Sequence, residues 1–183
     1  FRRKNSERVP LWGGLAIYIS FASAGLFFAY EQTWLLALLS LPLVLVGAMD
    51  DLFQFRPRPK ALIQLLVAVG WVYFTPKASL VLVQAGCPVE LAVPLTAFWL
   101  VGIINALNMI DGLDGVAGIF SAVVALFIGI ITWGTGSSLV MFILAGAILA
   151  FLAFNLPPAK IYLGDSGSTF LGFALSGTAA TMP

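Results

Sequence analysis

The sequence predicts an all-α integral membrane protein, a polytopic bundle of about seven transmembrane helices. Of its 183 residues, 61% are hydrophobic and 9% are charged, whereas a soluble domain carries roughly 25% charged residues. The mean hydropathy of +1.03 indicates the same class. Residues 116–154 contain no charged side chain, so they lack the polar stripe that a helix of a soluble protein needs.

Seven apolar segments approach the length of about 20 residues that a helix needs to cross a bilayer. They are residues 11–30, 34–49, 61–75, 94–108, 116–133, 138–155 and 168–182. The segment 76–93 has alternating and β-branched residues around a glycine, which predicts a short periplasmic hairpin or an interfacial turn. We expect residues 1–183 to form one integral-membrane domain, as a fragment of a longer protein that lacks both ends.

The composition also limits the chemistry that this chain can perform. It contains no histidine, and Cys87 is its single cysteine, so an intrachain disulfide and a cysteine metal cluster are excluded. A general base must therefore be a carboxylate, a lysine or water. The net charge of +1 provides no basic face for nucleic acid.

Alternate threading of the seven segments through a bilayer separates the charges. Eight of the nine basic residues fall on one side and only Lys77 falls on the other, so the positive-inside rule makes the first side cytoplasmic. All five aspartates fall on that same side, although they were not used to choose it. The sequence thus brings three separate aspartate-containing loops to the cytoplasmic face, where ionisable groups are functional candidates.

The first of these loops begins with the sequence GAMDD. Asp50 and Asp51 end one apolar segment, and Lys60 begins the next after a proline-stiffened stretch. Neighbouring residues of a helix point about 100° apart, so we expect the two carboxylates to have different partners. They are either helix-end acids, solvated or paired with Arg56 and Arg58, or an anionic pair that binds a divalent cation or acts as a base.

The second loop reads NALNMIDGLDG. Asn105, Asn108 and Asp111 recur every three residues and span an arc of about 120° on a helix, which the following glycine ends before Asp114. Asparagine amides facing lipid would lack hydrogen-bond partners, so we expect them to face other helices. Interhelical hydrogen bonding is the alternative to a binding role, but it does not explain the two acids and two glycines.

The third loop contains GDSGS, which predicts a tight polar turn before the last helix, with Ser166 or Ser168 as its cap. The N-terminus of that helix favours an anion such as phosphate, and Asp165 is a hard oxygen ligand suited to Mg²⁺. Together with Lys60 and Lys160, the three loops predict a magnesium–phosphate site at the cytoplasmic membrane surface. Phosphoryl transfer depends mainly on positioning and charge neutralisation, which such a site can supply.

The motifs GAMDD, NALNMIDGLDG and GDSGST, in this order and spacing, resemble those of the polyprenyl-phosphate N-acetylhexosamine-1-phosphate transferases (glycosyl transferase family 4). The stretch RVPLWGG at residues 8–14 resembles that family's entry to a membrane helix. The resemblance implies transfer of a sugar-1-phosphate from a UDP-sugar to a polyprenyl phosphate with release of UMP. It also implies Mg²⁺, or Mn²⁺ in its place, as the cofactor, with no nucleic-acid partner. A homodimer is left open.

The resemblance implies catalytic roles for Asp50, Asp51 and Asp165, with Asp50 at the lipid phosphate. Asp165 and Asp111 would bind the metal ion. The residues that would bind substrate are Lys60, Asn105, Asn108, Asp111, Asp114 and Asn155.

Within this family, the run INALNMIDG favours the enzymes that transfer N-acetylglucosamine-1-phosphate from UDP-GlcNAc to undecaprenyl phosphate. These enzymes initiate cell-surface polysaccharide synthesis, including lipopolysaccharide and cell-wall polymers, at the cytoplasmic (inner) membrane of bacteria. The alternatives are a phospho-N-acetylmuramoyl-pentapeptide transferase and, in another class, a membrane transporter. The family's histidine-rich loop lies beyond Pro183 or is absent.

Overall fold

The computed structural model describes residues 9–28 and 31–182. In these ranges it contains eight α-helices and no strand, which confirms the predicted helical bundle. The basic residues Arg2, Arg3, Lys4 and Arg8 lie outside the described ranges. The helices are α1 (Gly13–Phe28), α2 (Glu31–Phe53), α3 (Pro57–Phe74), α4 (Lys77–Gln84), α5 (Val89–Ile110), α6 (Val116–Ile131), α7 (Gly136–Asn155) and α8 (Gly164–Ala179).

Each of the seven predicted apolar segments overlaps one helix, and α4 is the additional one. Among the described helices, α2, α5 and α7 are long and apolar enough to cross a membrane, and Gly13–Gly25 and Val116–Ile131 are shorter apolar helical stretches. Large apolar side chains such as Phe98 and Phe127 remain exposed on the outside of the bundle. A polytopic membrane bundle explains this exposure, because lipid covers such surfaces.

The hairpin predicted for residues 76–93 is wrong. Lys77–Gln84 forms the short helix α4, and a turn containing Gly86, whose φ is +91°, leads into α5. A helix satisfies its backbone hydrogen bonds within one segment, whereas an isolated two-stranded hairpin leaves both edges unpaired. The alternating pattern of this segment was therefore no guide to its backbone.

Helix α8 is the centre of the bundle. Fourteen of its sixteen residues are buried, and it packs against α1, α2, α5, α6 and α7. Near the C-terminal end of α8, Trp71 of α3 donates from Nε1 to the carbonyl of Gly177 at 3.1 Å. The position of α8 therefore determines how the surrounding helices face one another.

Glycines allow α2 and α5 to approach the backbone of α8. A Cβ added to Gly47 would lie 2.5 Å from Ser166 Cα, and one added to Gly172 would lie 2.7 Å from Ile104 Cα. Small residues at helix contacts permit this close packing in membrane proteins. The acidic end of α2 is thus held directly against the start of α8.

We expect Gly47→Ala to lower the free energy of unfolding in detergent by about 1–3 kcal/mol, because the added methyl group meets backbone that cannot move aside. Gly146→Ala is the matched control. It lies on α7 with nothing within 4 Å of the new Cβ and should be neutral or slightly stabilising. Equal melting behaviour of the two variants would contradict the close contact between α2 and α8.

Candidate active site

The first turn of α8 is the point at which carboxylates from two other helical segments meet. The N–H of Asp165 donates to Asp51 Oδ1 at 2.9 Å, and the backbone of Gly164 lies close enough to the carboxylate of Asp111 to stabilise its charged form. The first N–H groups of a helix have no partner within it and favour anions. Gly164 has a φ of +74°, and a Cβ there would lie 2.5 Å from Asp51 Oδ2, so only glycine fits.

Lys60, in the first turn of α3, lies between two further carboxylates. Its Nζ is 2.8 Å from Asp50 Oδ2 and 2.6 Å from Asp165 Oδ2. Asp50 also accepts a hydrogen bond from the N–H of Phe55 at 2.5 Å. The three charged side chains are between 14% and 27% exposed, so water screens them less than an ion pair on an open surface.

These contacts define a carboxylate–lysine cluster, which consists of Asp50, Asp51, Lys60, Asp111 and Asp165. Burial, and after it the negative charges of Asp165 and Asp51, raise the pKa of Asp111 to about 7. Four acids and one lysine leave an excess of negative charge. A bound cation would relieve that excess.

The asparagines of α5 face other helices, as predicted. Asn108 Nδ2 donates to Ser168 Oγ of α8 at 2.9 Å, and Asn105 Nδ2 donates to Gln64 Oε1 of α3 at 2.7 Å. Amides between helices of a membrane bundle commonly form such bonds. The contacts tie α5 to both of its neighbours, and the binding role of the two asparagines stays a prediction.

Asp114 and Asn155 lie where the loop after α5 meets the loop after α7. Asn155 Oδ1 accepts from the N–H of Gly115 at 3.0 Å, and its Nδ2 donates to the carbonyl of Ile161 at 2.8 Å. Asp114 Oδ2 accepts from the N–H of Ala159 at 3.3 Å. Asn155 is buried and uses both ends of its amide to brace these loops. Its predicted contact with substrate is not tested by this geometry.

The cluster has the donor chemistry that a magnesium ion requires. The described residues contain no group of three or more histidine, cysteine or acidic side chains placed to hold a metal ion by themselves. However, Asp51 Oδ2 is buried without a hydrogen-bond partner, and Asp111 and Asp165 lie close enough to interact electrostatically. Mg²⁺ is commonly held by one or two carboxylates, with phosphate oxygens and water completing its shell. The residues present fit such an ion.

Two local expectations are corrected by the structure. GDSGS is not a turn before the last helix but its first turn, and Leu163 occupies the N-cap without a side-chain bond. The predicted cap by Ser166 or Ser168 is wrong, because Asp51 of α2 satisfies the N–H of Asp165 instead. A partner from another helix cannot be found from local sequence.

Sequence reasoning also missed Gln64. This glutamine is buried in α3, one turn after Lys60, and bonds to Asn105. The signal was present, because Gln64 is the only polar side chain between Lys60 and Trp71. A glutamine in an apolar helix normally faces a polar partner.

We expect Lys60→Met to lower the free energy of unfolding by about 1–3 kcal/mol, because Asp50 and Asp165 would face each other without a cation between them. Lys60→Arg should retain most of the stability. Lys160→Met removes an exposed lysine and serves as the control. If chemical denaturation gave the same midpoint for Lys60→Met and Lys160→Met, the bridging role would be refuted.

Comparison with known proteins identifies the family. Residues 33–182 match the family model for glycosyl transferase family 4. The chain is 34% identical over 188 residues to a probable undecaprenyl-phosphate N-acetylglucosaminyl 1-phosphate transferase of Bacillus subtilis (96% of this chain, 52% of the relative). It is also 34% identical over 175 residues to an undecaprenyl-phosphate alpha-N-acetylglucosaminyl 1-phosphate transferase of Thermotoga maritima (96% and 53%).

A third relative is a phospho-N-acetylmuramoyl-pentapeptide-transferase of Streptococcus pneumoniae, 34% identical over 188 residues (91% of this chain, 57% of the relative). The chain therefore spans a little over half the length of these curated relatives. The matched region includes every residue of the carboxylate–lysine cluster. On this evidence the chain belongs to glycosyl transferase family 4.

Proposed function

We propose that this protein is a membrane phosphoglycosyl transferase, which moves N-acetylglucosamine-1-phosphate from UDP-GlcNAc to undecaprenyl phosphate and releases UMP. The observation that carries the proposal is the convergence of Asp50, Asp51, Lys60, Asp111 and Asp165 around the first turn of a buried helix. The names of the relatives from Bacillus subtilis and Thermotoga maritima support the sugar and the lipid. Such a product would initiate a cell-surface polysaccharide.

In the proposed reaction, a phosphate oxygen of the lipid attacks the phosphorus that bears the sugar. The bond from that phosphorus to the bridging oxygen breaks, and UMP leaves with this oxygen. The lipid phosphate is already anionic and needs no covalent intermediate on the protein. A magnesium or manganese ion held by Asp165 and Asp111 would neutralise the pyrophosphate of the nucleotide sugar.

The contacts within the carboxylate–lysine cluster suggest a separate role for each residue in the proposed reaction. Asp51 bonds to the start of α8, so it holds that helix end in place. Lys60 bonds to two carboxylates through one ammonium group and can donate its third proton to a phosphate. Asp50 lies beside Lys60 and would orient the lipid phosphate. Proton removal by Asp50 is the alternative role.

A second donor sugar is favoured by one observation. The pentapeptide transferase of Streptococcus pneumoniae matches this chain at the same 34% identity. Both reactions would use the same charged cluster, and they differ in the sugar that accompanies the uridine diphosphate.

A transporter, in contrast, would need ionisable groups near the middle of its spans, whereas the clustered acids here lie at helix ends. A homodimer remains a prediction.

We expect Asp165→Asn in the full-length protein to lower UMP release from UDP-GlcNAc at least about a hundredfold, because an amide cannot replace the charge of the carboxylate. UMP would be measured in detergent with Mg²⁺ and undecaprenyl phosphate, with UDP-N-acetylmuramoyl-pentapeptide as the second donor. Glu31→Gln, an acid-to-amide change outside the cluster, should retain activity. Near-normal release by Asp165→Asn would refute its assignment.

The location is proposed to be the bacterial cytoplasmic membrane, with the cluster facing the cytoplasm. Arg56 lies in the loop that follows α2, and Arg58 lies in the first turn of α3, both close in sequence to Asp50 and Asp51. Lys77 lines a cavity of about 850 Å³ with Glu31 and the residues that begin α7. Glu31 begins α2, so this cavity lies at the opposite end of α2 from Asp50 and Asp51. The distribution of basic residues supports a cytoplasmic cluster.

Cys87 is a natural reporter of this orientation, since it follows α4 and is partly exposed. In intact cells, a membrane-impermeant maleimide should label Cys87 from outside the cytoplasmic membrane. It should not label Leu113→Cys in a Cys87→Ser background, although Leu113 is 71% exposed beside the cluster. Permeabilisation should make Leu113→Cys reactive. Labelling of Leu113→Cys in intact cells would reverse the proposed topology.

A further inference from the structure

Gln64 is a buried amide that the proposed reaction has not used. It is 4% exposed and lies one helical turn after Lys60, so the two side chains occupy the same face of α3. Gln64, Lys60 and Asp165 line one small cavity of about 10 Å³, together with Thr169. The amide therefore forms part of the wall beside the ion pairs.

The contact of Gln64 with α5 controls which group Asn105 can offer to a ligand. Asn105 Nδ2 donates to Gln64 Oε1 at 2.7 Å and to the carbonyl of Val101 at 2.8 Å. An amide NH₂ has two protons, and both are used in these bonds. Asn105, which is exposed on α5, is thereby oriented with its carbonyl oxygen as the remaining acceptor.

Helix α3 thus contacts both the carboxylate–lysine cluster and the asparagines of α5 through one polar face. Lys60 bonds to Asp50 of α2 and Asp165 of α8, and Gln64 bonds to Asn105 of α5. The spacing of four residues between Lys60 and Gln64 sets the distance from the charged cluster to the amides of α5. Gln64 itself lines that cavity beside Lys60 and Asp165, so the residue that bonds to Asn105 is also next to the charged cluster.

We propose that Gln64 is a positioning residue of the transferase site, which orients Asn105 toward the nucleotide sugar and holds α5 in register with Lys60. This proposal rests on the proposed function. Gln64 acts through Asn105 and does not itself contact the reacting atoms.

The test uses the full-length protein and a double-mutant cycle of Gln64→Met and Asn105→Leu. Each single change should raise KM for the nucleotide sugar about tenfold, the equivalent of one lost hydrogen bond. It should leave kcat within about threefold, because ground-state and transition-state binding lose the same contact. The double variant should be no worse than the worse single variant, because the two residues act as a pair.

Two further variants separate positioning from simple stabilisation. Exchange of the amides, Gln64→Asn with Asn105→Gln, preserves the combined side-chain length. It should return KM most of the way to the value of the unaltered protein. Gln32→Met removes a comparable interhelical amide at the other end of the bundle, where Gln32 Nε2 donates to Thr181 Oγ1 at 3.3 Å. It should lower the melting temperature and leave KM unchanged.

A normal KM for Gln64→Met, or multiplicative effects of the two single changes, would overturn the proposal. Melting temperatures of the same four proteins test the pairing without any assay of activity, and additive losses there would also overturn it. If the unaltered protein released no UMP from either donor, the proposed function would fail. The pairing of Gln64 with Asn105 would then be judged on the melting temperatures alone.

Discussion

The site depends on the interaction of the first turn of α8 with carboxylates from other parts of the chain. Asp51 of α2 accepts a hydrogen bond from the N–H of Asp165, and Asp111, which follows α5, is stabilised by the backbone of Gly164. A buried N–H group without a partner would be costly, so these acids are needed for the fold as well as for chemistry. The same amides favour phosphate, which connects the stability of the helix start to the proposed substrates.

Because α8 is buried, the position of its first turn affects the helices that pack around it. Because neighbouring helices surround α8, a shift of its first turn would move the partners of α2 and α5 together. The glycine contacts of Gly47 and Gly172 leave little room for such a shift. Lys60 then balances part of the concentrated negative charge, and the remaining charge favours a divalent cation at the end of the bundle.

Much of this arrangement could be predicted, because hydropathy constrains a membrane protein strongly. Each predicted apolar segment corresponds to a helix, and Asp50, Asp51, Asp111 and Asp165, which were predicted to share one side, converge at one end of the bundle. The different partners of Asp50 and Asp51 follow from the 100° rotation between neighbouring helical residues. The hairpin at 76–93 failed because β-branched residues also occur in short helices, and no second strand was available to test the pattern.

The sequence by itself determined the class of protein, the helical segments and the set of chemical groups at one end of the bundle, because each follows from local composition and spacing. Only the tertiary structure decided which groups bond to one another. It selected Lys60 over Arg56 and Arg58 as the partner of Asp50, and it replaced a serine cap of α8 with Asp51 from another helix. It also revealed the pairing of Gln64 with Asn105. Such choices depend on the packing of helices distant in sequence, which no local pattern records.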